Sequence, residues 1–487
     1  MFTIMHLSDL HRSPAYPISN DELISTLIAD RERHAREDPK IAFPDALIIS
    51  GDLVQGVPLG TADSDGILSS QYKVAFDFLA ELTDRFVGGD RSRVIIVPGN
   101  HDVDWNMARR SMAEVPPAEW PSELGTALTT PGTRMRWSWT ERKLYRIADE
   151  ATYEARLLHY RRTMHRFYEH TTMPVLLDPS GDWSFCELWG GRVAVVAFNS
   201  CFDNDMFRLA ASIPEEAVAR SHIWLHDRGP YELQIAVWHH NISGPPERSD
   251  YLDVATVHKL IGKGFRLGLH GHQHRSEAVP HYIHLPEVEV MAVASAGSLC
   301  AGGLALPAGV NRQYNMIELD DDLCGARIHV REMAVATVFG PSRMPALGGR
   351  SYAVFSWPGP SDALGRKVPV AARRRTAAIE AAEQFFHSHD DDGTLRILGD
   401  IDLPIGSYER QLYLNAAERA RSWRAIVVTL PQPTSSAELT LLTRALVELG
   451  DYQKAYEAIT QHGPNLLDPA TARELRNWVD AKVALRK

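Results

Sequence analysis

Cysteine is scarce in this chain: Cys186, Cys201, Cys300 and Cys324 are the only four in 487 residues, and no two form a C-x-x-C pair. That spacing excludes a disulfide framework and a thiolate zinc site, so each is read as a small core residue. Positive charge is in deficit as well. Lys and Arg number 51 against 62 Asp and Glu, a formal net charge of −11 with a pI near 6.0. Such a balance excludes a protein whose main task is coating duplex DNA without specificity, while a local basic surface stays open. No window reaches the roughly 18 apolar residues that span a bilayer. No membrane contact is therefore expected, and because strand-like sequence begins at Phe2, no secretory leader is expected either. The expected location is a reducing cytoplasm.

What is present is an ordinary globular composition, 44% apolar and 23% charged. A chain of this length exceeds one hydrophobic core, so two or three units are expected. Short apolar runs at Phe2 to Leu7, Ala46 to Ser50 and Val94 to Val97 alternate with helical stretches, a βαβαβ rhythm. Further strand-like runs at Val193 to Phe198, Leu233 to Trp238, Arg266 to Leu269, Val288 to Ala294, Gln313 to Leu319 and Ala326 to Glu332 imply a second half-sheet. Between them, about 105–180 reads as a helical cap insertion in which Trp105, Trp120, Trp137 and Trp139 lie beside several arginines, interleaved with acidic residues. The boundaries that follow are 1–345 for the α/β unit, a Gly- and Pro-rich linker at 346–375, and a separate α-helical domain at 376–487. Within the last, Leu449-Gly450-Asp451-Tyr452 with Ala455 and Ala458 resembles the turn of a tetratricopeptide helix pair, without a second copy at that repeat's period. Such a module binds a protein partner or associates with itself.

Each early strand ends in a polar cluster: Ser8-Asp9-Leu10-His11, Gly51-Asp52, and Gly99-Asn100-His101-Asp102. Carboxyl ends of strands in α/β sheets are where ligands collect. Adding His239-His240 and Gly271-His272-Gln273-His274 makes an inventory of oxygen and imidazole donors suited to metal. Asp9 and His11, like His272 and His274, are one residue apart, and on an extended segment alternate side chains share a face. Gly51 and Gly271 let the backbone turn against a crowded cluster. Seven or eight donors exceed the needs of one ion but satisfy two that share a carboxylate, for which Asp52 is the candidate.

The order D-x-H, G-D, G-N-H-D, H, G-H-x-H resembles the calcineurin-like metallophosphoesterase superfamily, and the likeness covers about the first 335 residues. The resemblance implies a four-layer sandwich of two mixed β-sheets flanked by helices. It also implies that Asp9, His11, Asp52 and His274 hold one divalent ion and that Asp52, Asn100, His239 and His272 hold a second, with a bridging hydroxide between them. Manganese is the first expectation, with iron or zinc as alternatives. His101 resembles the family's non-ligand histidine that faces the phosphate, and Asp102 is expected to orient it. Many relatives continue the fourth motif as His-His-Pro, whereas Asn241 follows here. His239 is favoured as the ligand, leaving His240 and Arg12 as candidate substrate contacts, the latter because a guanidinium fork matches phosphate oxygens. His6, inside the first strand, reads as a hydrogen-bonded sheet residue. The expected activity is hydrolysis of phosphodiesters, in nucleic acid or a nucleotide. The alternatives are a phosphomonoester or phosphoprotein substrate, and a non-catalytic metal-binding scaffold. The insertion's arginines and tryptophans are compatible with nucleic-acid contact or with a solvated mixed-charge face.

Overall fold

The computed structural model describes the chain apart from residues 16–17, 130–131, 172–175, 243–249, 283–288, 303–305, 308–309, 336–337, 343–349, 360–369, 406, 468 and 486–487. Two seven-stranded sheets form its centre. In the first, Phe2–Leu7, Ala46–Ser50 and Val94–Val97 run parallel, and Gln313–Leu319 adds antiparallel beside Phe2–Leu7. In the second, Val193–Phe198, Leu233–Val237, Leu267–His270 and Val290–Ser295 are parallel neighbours.

Strand alternation explains why both sheets are covered on both faces. Ile4, Ala46, Ile48, Ile95 and Val97 point inward and meet Val193, Val195, Leu233, Ile235 and Leu267 of the opposite sheet. Their neighbours Met5, Leu7, Leu47, Ile49, Val94 and Ile96 point outward and bury against the helices Asn20–His34 and Ser64–Val87. On the far side, Ala194, Val196, Ala236 and Trp238 pack with residues of the helices Glu215–Arg228 and Val254–Gly262. The result is a helix–sheet–sheet–helix sandwich, and two-sided burial is why these strands read as continuous apolar runs rather than alternating ones.

The 105–180 segment departs from the helical expectation. Met112–Val115, Met135–Ser138 and Lys143–Ile147 form a three-stranded antiparallel sheet among short helices. Cross-strand pairs such as Trp137 with Leu144 and Glu114 with Tyr145 supply the packing that helical spacing did not register. The helix Leu158–Tyr168 belongs to the sandwich itself, since Met164, Phe167 and Tyr168 join the core beneath the first sheet.

Part of the expected linker is also sheet. Tyr352–Ser356 pairs antiparallel with Gly325–Val335, and Trp357 donates its indole N–H to the Leu323 carbonyl at 2.8 Å, so the α/β unit extends past 345. Residues 343–349 and 360–369 of that linker lie outside the described residues. The helix Val370–His387 starts before 376 and takes in the basic run Arg373 to Arg375, whose last member pairs with Glu409. The helices from there to Leu485 bury separate apolar clusters around Ile379 and Leu398, and around Leu439, Ala455, Ile459 and Val479. Gly450, at φ +85°, makes the turn between Ser436–Glu448 and Tyr452–Leu466. Tyr408 packs on His258 of the sandwich, ring centroids 4.3 Å apart.

A buried network ties the first sheet to its helix layer. Arg331 donates to Asp30 at 2.9 Å and 2.5 Å and to Glu37 at 3.0 Å, and the Tyr314 hydroxyl donates to Asp30 at 2.6 Å. Burial alone would raise the Asp30 carboxyl, but His34, Arg331 and Tyr314 outweigh it and hold it below the usual carboxylate range. A depressed carboxylate stabilises the fold above its unfolded pKa, roughly 3.9, and that contribution is lost as pH falls through the lower folded value. Asp30→Asn should therefore cost about 1.5–3 kcal/mol at neutral pH, by urea denaturation, because it removes the buried charge that Arg331 and Tyr314 bond and leaves Glu37 as the counter-ion of Arg331. The gap from the parent should narrow below about pH 4.

Candidate metal centre

Every predicted ligand sits just beyond the carboxyl end of a parallel strand, and the two sets of strand ends meet across the sandwich. Asp9 and His11 follow the first strand, Asp52 the second, Asn100 and His101 the third, His239 the strand Leu233–Val237, and His272 and His274 the strand Leu267–His270. The local backbone is not the extended turn that one-residue spacing suggested. Asp9, His11, Asp52, His272 and His274 all have positive φ, from 44° to 77°. That left-handed conformation costs a non-glycine residue of order 1–3 kcal/mol and persists only where its surroundings over-determine it. Here they do: Asp9 N–H donates to Gly51 O at 3.1 Å, His11 N–H to Asp52 O at 2.9 Å and Gly271 N–H to His239 O at 2.9 Å.

Crowding explains the glycines. A Cβ on Gly51 would lie 2.4 Å from His239 Nδ1, and one on Gly271 1.7 Å from Ser8 Oγ. One on Gly99 would lie 2.1 Å from Asp52 Oδ1 and 2.4 Å from the Asp52 nitrogen. Gly99 stood in the motif, but its spatial reason is visible only in three dimensions.

The side chains form two sets that meet at Asp52. Donor atoms of Asp9, His11, Asp52 and His274 all lie within 4.8 Å of one another. On the other side, His239 Nε2 is 3.4 Å from Asp52 Oδ1 and 3.0 Å from Asn100 Oδ1, and His272 Nδ1 is also 3.0 Å from Asn100 Oδ1. These donors fit divalent cations. His11 Nε2 and His274 Nε2 face each other at 3.1 Å, and the buried Asp9 Oδ1 has no well-formed hydrogen bond although His274 Nε2 stands 3.1 Å away. Lone pairs turned toward one point in a buried site call for a positive charge between them.

Electrostatics favour the same reading. Burial works against charge on Asp52, but His239 and His101 outweigh it and hold the carboxyl well below its ordinary range. Burial pushes the His11 imidazole down to about 3 although Asp52 opposes it, leaving a neutral donor. Burial also disfavours charge on His239, yet Asp52 and Asp9 bring it up to about 9, so a cation binding there displaces a proton.

Outer contacts decide which nitrogen each ring offers. His239 donates Nδ1–H to Ser50 O at 2.7 Å, which leaves Nε2 to face Asp52 and Asn100. His101 donates Nδ1–H to Gln55 O at 2.7 Å, and its ring stands 4.6 Å from that of His11. Asp102 does not orient that imidazole. Its Oδ2 accepts from the backbone N–H of Gly99 at 2.8 Å and Leu53 at 3.2 Å, while Oδ1 accepts from Tyr72 Oη at 2.8 Å. It is a buried staple between two ligand-bearing loops, and burial together with nearby Asp52 raises its carboxyl to about 6.

Arg12 is likewise committed elsewhere. It is 1% exposed and donates to Asn20 Oδ1, Cys300 Sγ and Ile18 O, so its guanidinium is spent inside the fold. His240 is fully buried, its Nδ1 2.9 Å from Ser200 Oγ and its ring 4.8 Å from that of His272. His6 bonds Ser50 Oγ at 2.9 Å, as a sheet residue should. The first prolines after His240 in the sequence, Pro245 and Pro246, lie outside the described residues. Sequence reading missed Asp250, whose Oδ2 lies 3.0 Å from His272 Nε2, because no motif brackets it.

A sandwich of two mixed sheets between helices, with two donor sets sharing an aspartate at its strand ends, defines the class of the dinuclear metallohydrolases. The calcineurin-like phosphoesterase family matches residues 2–276, and the chain belongs to that family of phosphoester hydrolases. No curated protein matches it in sequence. Solved structures similar to it include the 5'-nucleotidase of Candida albicans, at 13% identity over 79% of this chain with a TM-score of 0.34. The match spans only 58% of the nucleotidase's own length. YfkN, a calcineurin-like phosphoesterase of Bacillus subtilis, matches at 12% identity over 81% of this chain and 98% of its own, TM-score 0.29. GAP50 of Plasmodium, an anchor in the inner membrane complex, matches at 11% over 77% and 94%, TM-score 0.34. Among the described residues, no helix is long and apolar enough to cross a membrane.

Gly99→Ala should displace Asp52 and so weaken metal binding about 10–100-fold, the usual effect of disturbing a ligand's support. Elemental analysis after dialysis against limiting metal reads this directly, and full occupancy in the variant would refute the shared role of Asp52.

Proposed function

We propose that the chain hydrolyses phosphodiester bonds, in nucleic acid or a nucleotide, at a centre that holds two divalent cations, manganese first. The observation that carries this reading is the meeting of two donor sets at Asp52, with His101 beside them. Two bound cations supply Lewis acidity and lower the pKa of the attacking water. Asp9, His11 and His274 hold one side, Asn100, His239 and His272 the other, and Asp52 serves both. As water adds to phosphorus and the ester P–O bond breaks, the leaving oxygen would take a proton from His101 Nε2, and the proton released by the attacking water would restore it. The bond to Gln55 O keeps that nitrogen turned from the backbone.

Arg12 does not supply the guanidinium that would match a phosphate, because interior acceptors occupy it, whereas Arg275, directly after His274, is only partly buried. For nucleic acid, three of the insertion's arginines are committed to carboxylates of the protein itself, while Arg142, Arg146 and Arg162 are exposed. Arg136 is 1% exposed and paired with Asp205, while Arg134 pairs with Glu150 and Arg161 with Glu154. Trp120, Trp137 and Trp139 instead form an edge-to-face series at 5.3 Å and 6.1 Å that ends in Trp139, 84% exposed. An exposed indole is a stacking platform for bases. The C-terminal helices, with Val428 and Ile405 exposed, are read as the surface for a protein partner or for self-association. Four free thiols suit a reducing compartment such as the cytoplasm.

With manganese, bis-p-nitrophenyl phosphate should be turned over faster than p-nitrophenyl phosphate. The reverse preference would assign a monoester or phosphoprotein substrate, and two bound ions without turnover would leave a scaffold. Asp52→Ala should abolish turnover, and His101→Ala should keep the metals while losing about 10²–10⁴-fold in rate. Trp139→Ala should weaken oligonucleotide binding by about 1–3 kcal/mol for each base it stacks while sparing the small diester. Equal loss on both would remove the nucleic-acid reading.

A further inference from the structure

His272 is wired in the opposite sense to His239. The latter turns Nδ1 to a backbone carbonyl and offers Nε2, whereas His272 turns Nε2 to the Asp250 carboxylate at 3.0 Å and offers Nδ1 to the centre, 3.0 Å from Asn100 Oδ1. We infer that Asp250 is a positioning residue for the second cation: it fixes the Nε2–H tautomer of His272 and, through its charge, makes Nδ1 the stronger donor. The inference rests on the dinuclear reading above.

The geometry gives Asp250 a fixed base. It begins the run Asp250-Tyr251-Leu252-Asp253 that leads into the helix Val254–Gly262, capped by Asp253. Leu252 is buried and its N–H donates to Asn241 O at 2.8 Å, two residues after His239, while Tyr251 O accepts from Ala211 N–H at 3.3 Å. The carboxylate is thereby held to the same strand end that supplies His239. The backbone that carries its partner ring is fixed as well, since the main-chain N–H of His272 donates to Asp9 Oδ2 at 3.1 Å. The two nitrogens of one imidazole thus report to different groups, Nε2 to a carboxylate and Nδ1 to the cation. A carboxylate behind a ligating imidazole raises its basicity and locks its orientation, and losing such a partner costs about 10–100-fold in metal affinity.

The consequence is asymmetric. The carboxylate bonds His272, a member of the second donor set, so its loss should empty one position and spare the other. Full-length Asp250→Asn and Asp250→Ala, stripped with chelator and titrated with Mn²⁺, should retain the first ion at the parent's affinity and bind the second about 10–100-fold more weakly, with elemental analysis giving the stoichiometry. The asparagine variant keeps an acceptor without the charge and should fall between parent and alanine. Melting temperatures of the metal-free proteins should coincide, which separates this role from a structural one. Parent-like affinity for both ions in both variants would overturn the inference while leaving the dinuclear centre standing. A parent that takes up fewer than two ions would overturn both.

Discussion

The crowding of buried carboxylates and imidazoles at one place is the constraint on which this molecule turns. Asp9, His11, Asp52, His239 and His274 are brought together where the two sheets converge, most of them fully buried. An arrangement of this kind is costly in the absence of a compensating charge, and the local backbone adds to the cost through five residues with positive φ. The sandwich carries that load. Ile4, Ile48, Ile95, Val195, Ile235 and Leu267 close its interior directly behind the site, and the parallel ladders hold the strand ends in register. Function here draws on stability made elsewhere.

A second layer of contacts gives the cluster its polarity. Backbone carbonyls of Ser50 and Gln55 fix His239 and His101, and a carboxylate fixes His272. Asp102 holds the loops together rather than the His101 ring, joining Gly99, Leu53 and Tyr72 across three segments. Roles that look alike in a motif are therefore separated by which atoms lie within bonding distance. An aspartate next to a histidine in sequence need not be its partner in space.

The same lesson holds for the arginines. Arg12, Arg136, Arg156 and Arg331 are among the largest fully buried side chains, and each has found acceptors within the protein. In the sequence, Arg12 and Arg136 are candidates for contact with phosphate. Their burial shows instead that guanidinium groups serve here as interior cross-links, a role open to a planar ion with five donors. The insertion exposes Trp139 together with Arg110, Arg134, Arg142, Arg146 and Arg162.

Much was legible in the order of residues alone: the apolar runs of both sheets, the donor set, the glycines beside it and the helical character of the C-terminal part. These are local properties, set by periodicity and by residue chemistry over a few positions. Tertiary structure decided the rest. It made sheet of Met112–Val115, Met135–Ser138, Lys143–Ile147 and Tyr352–Ser356, whose pairing energy comes from strands distant in the chain or from a single cross-strand neighbour. It turned Arg12 inward, gave Gln55 rather than Asp102 to His101, and carried Asp250 from an unremarked segment to a ligand imidazole. Hydrogen bonds act over about 3 Å, and no spacing along the chain encodes which groups will come that close once two sheets have closed on each other.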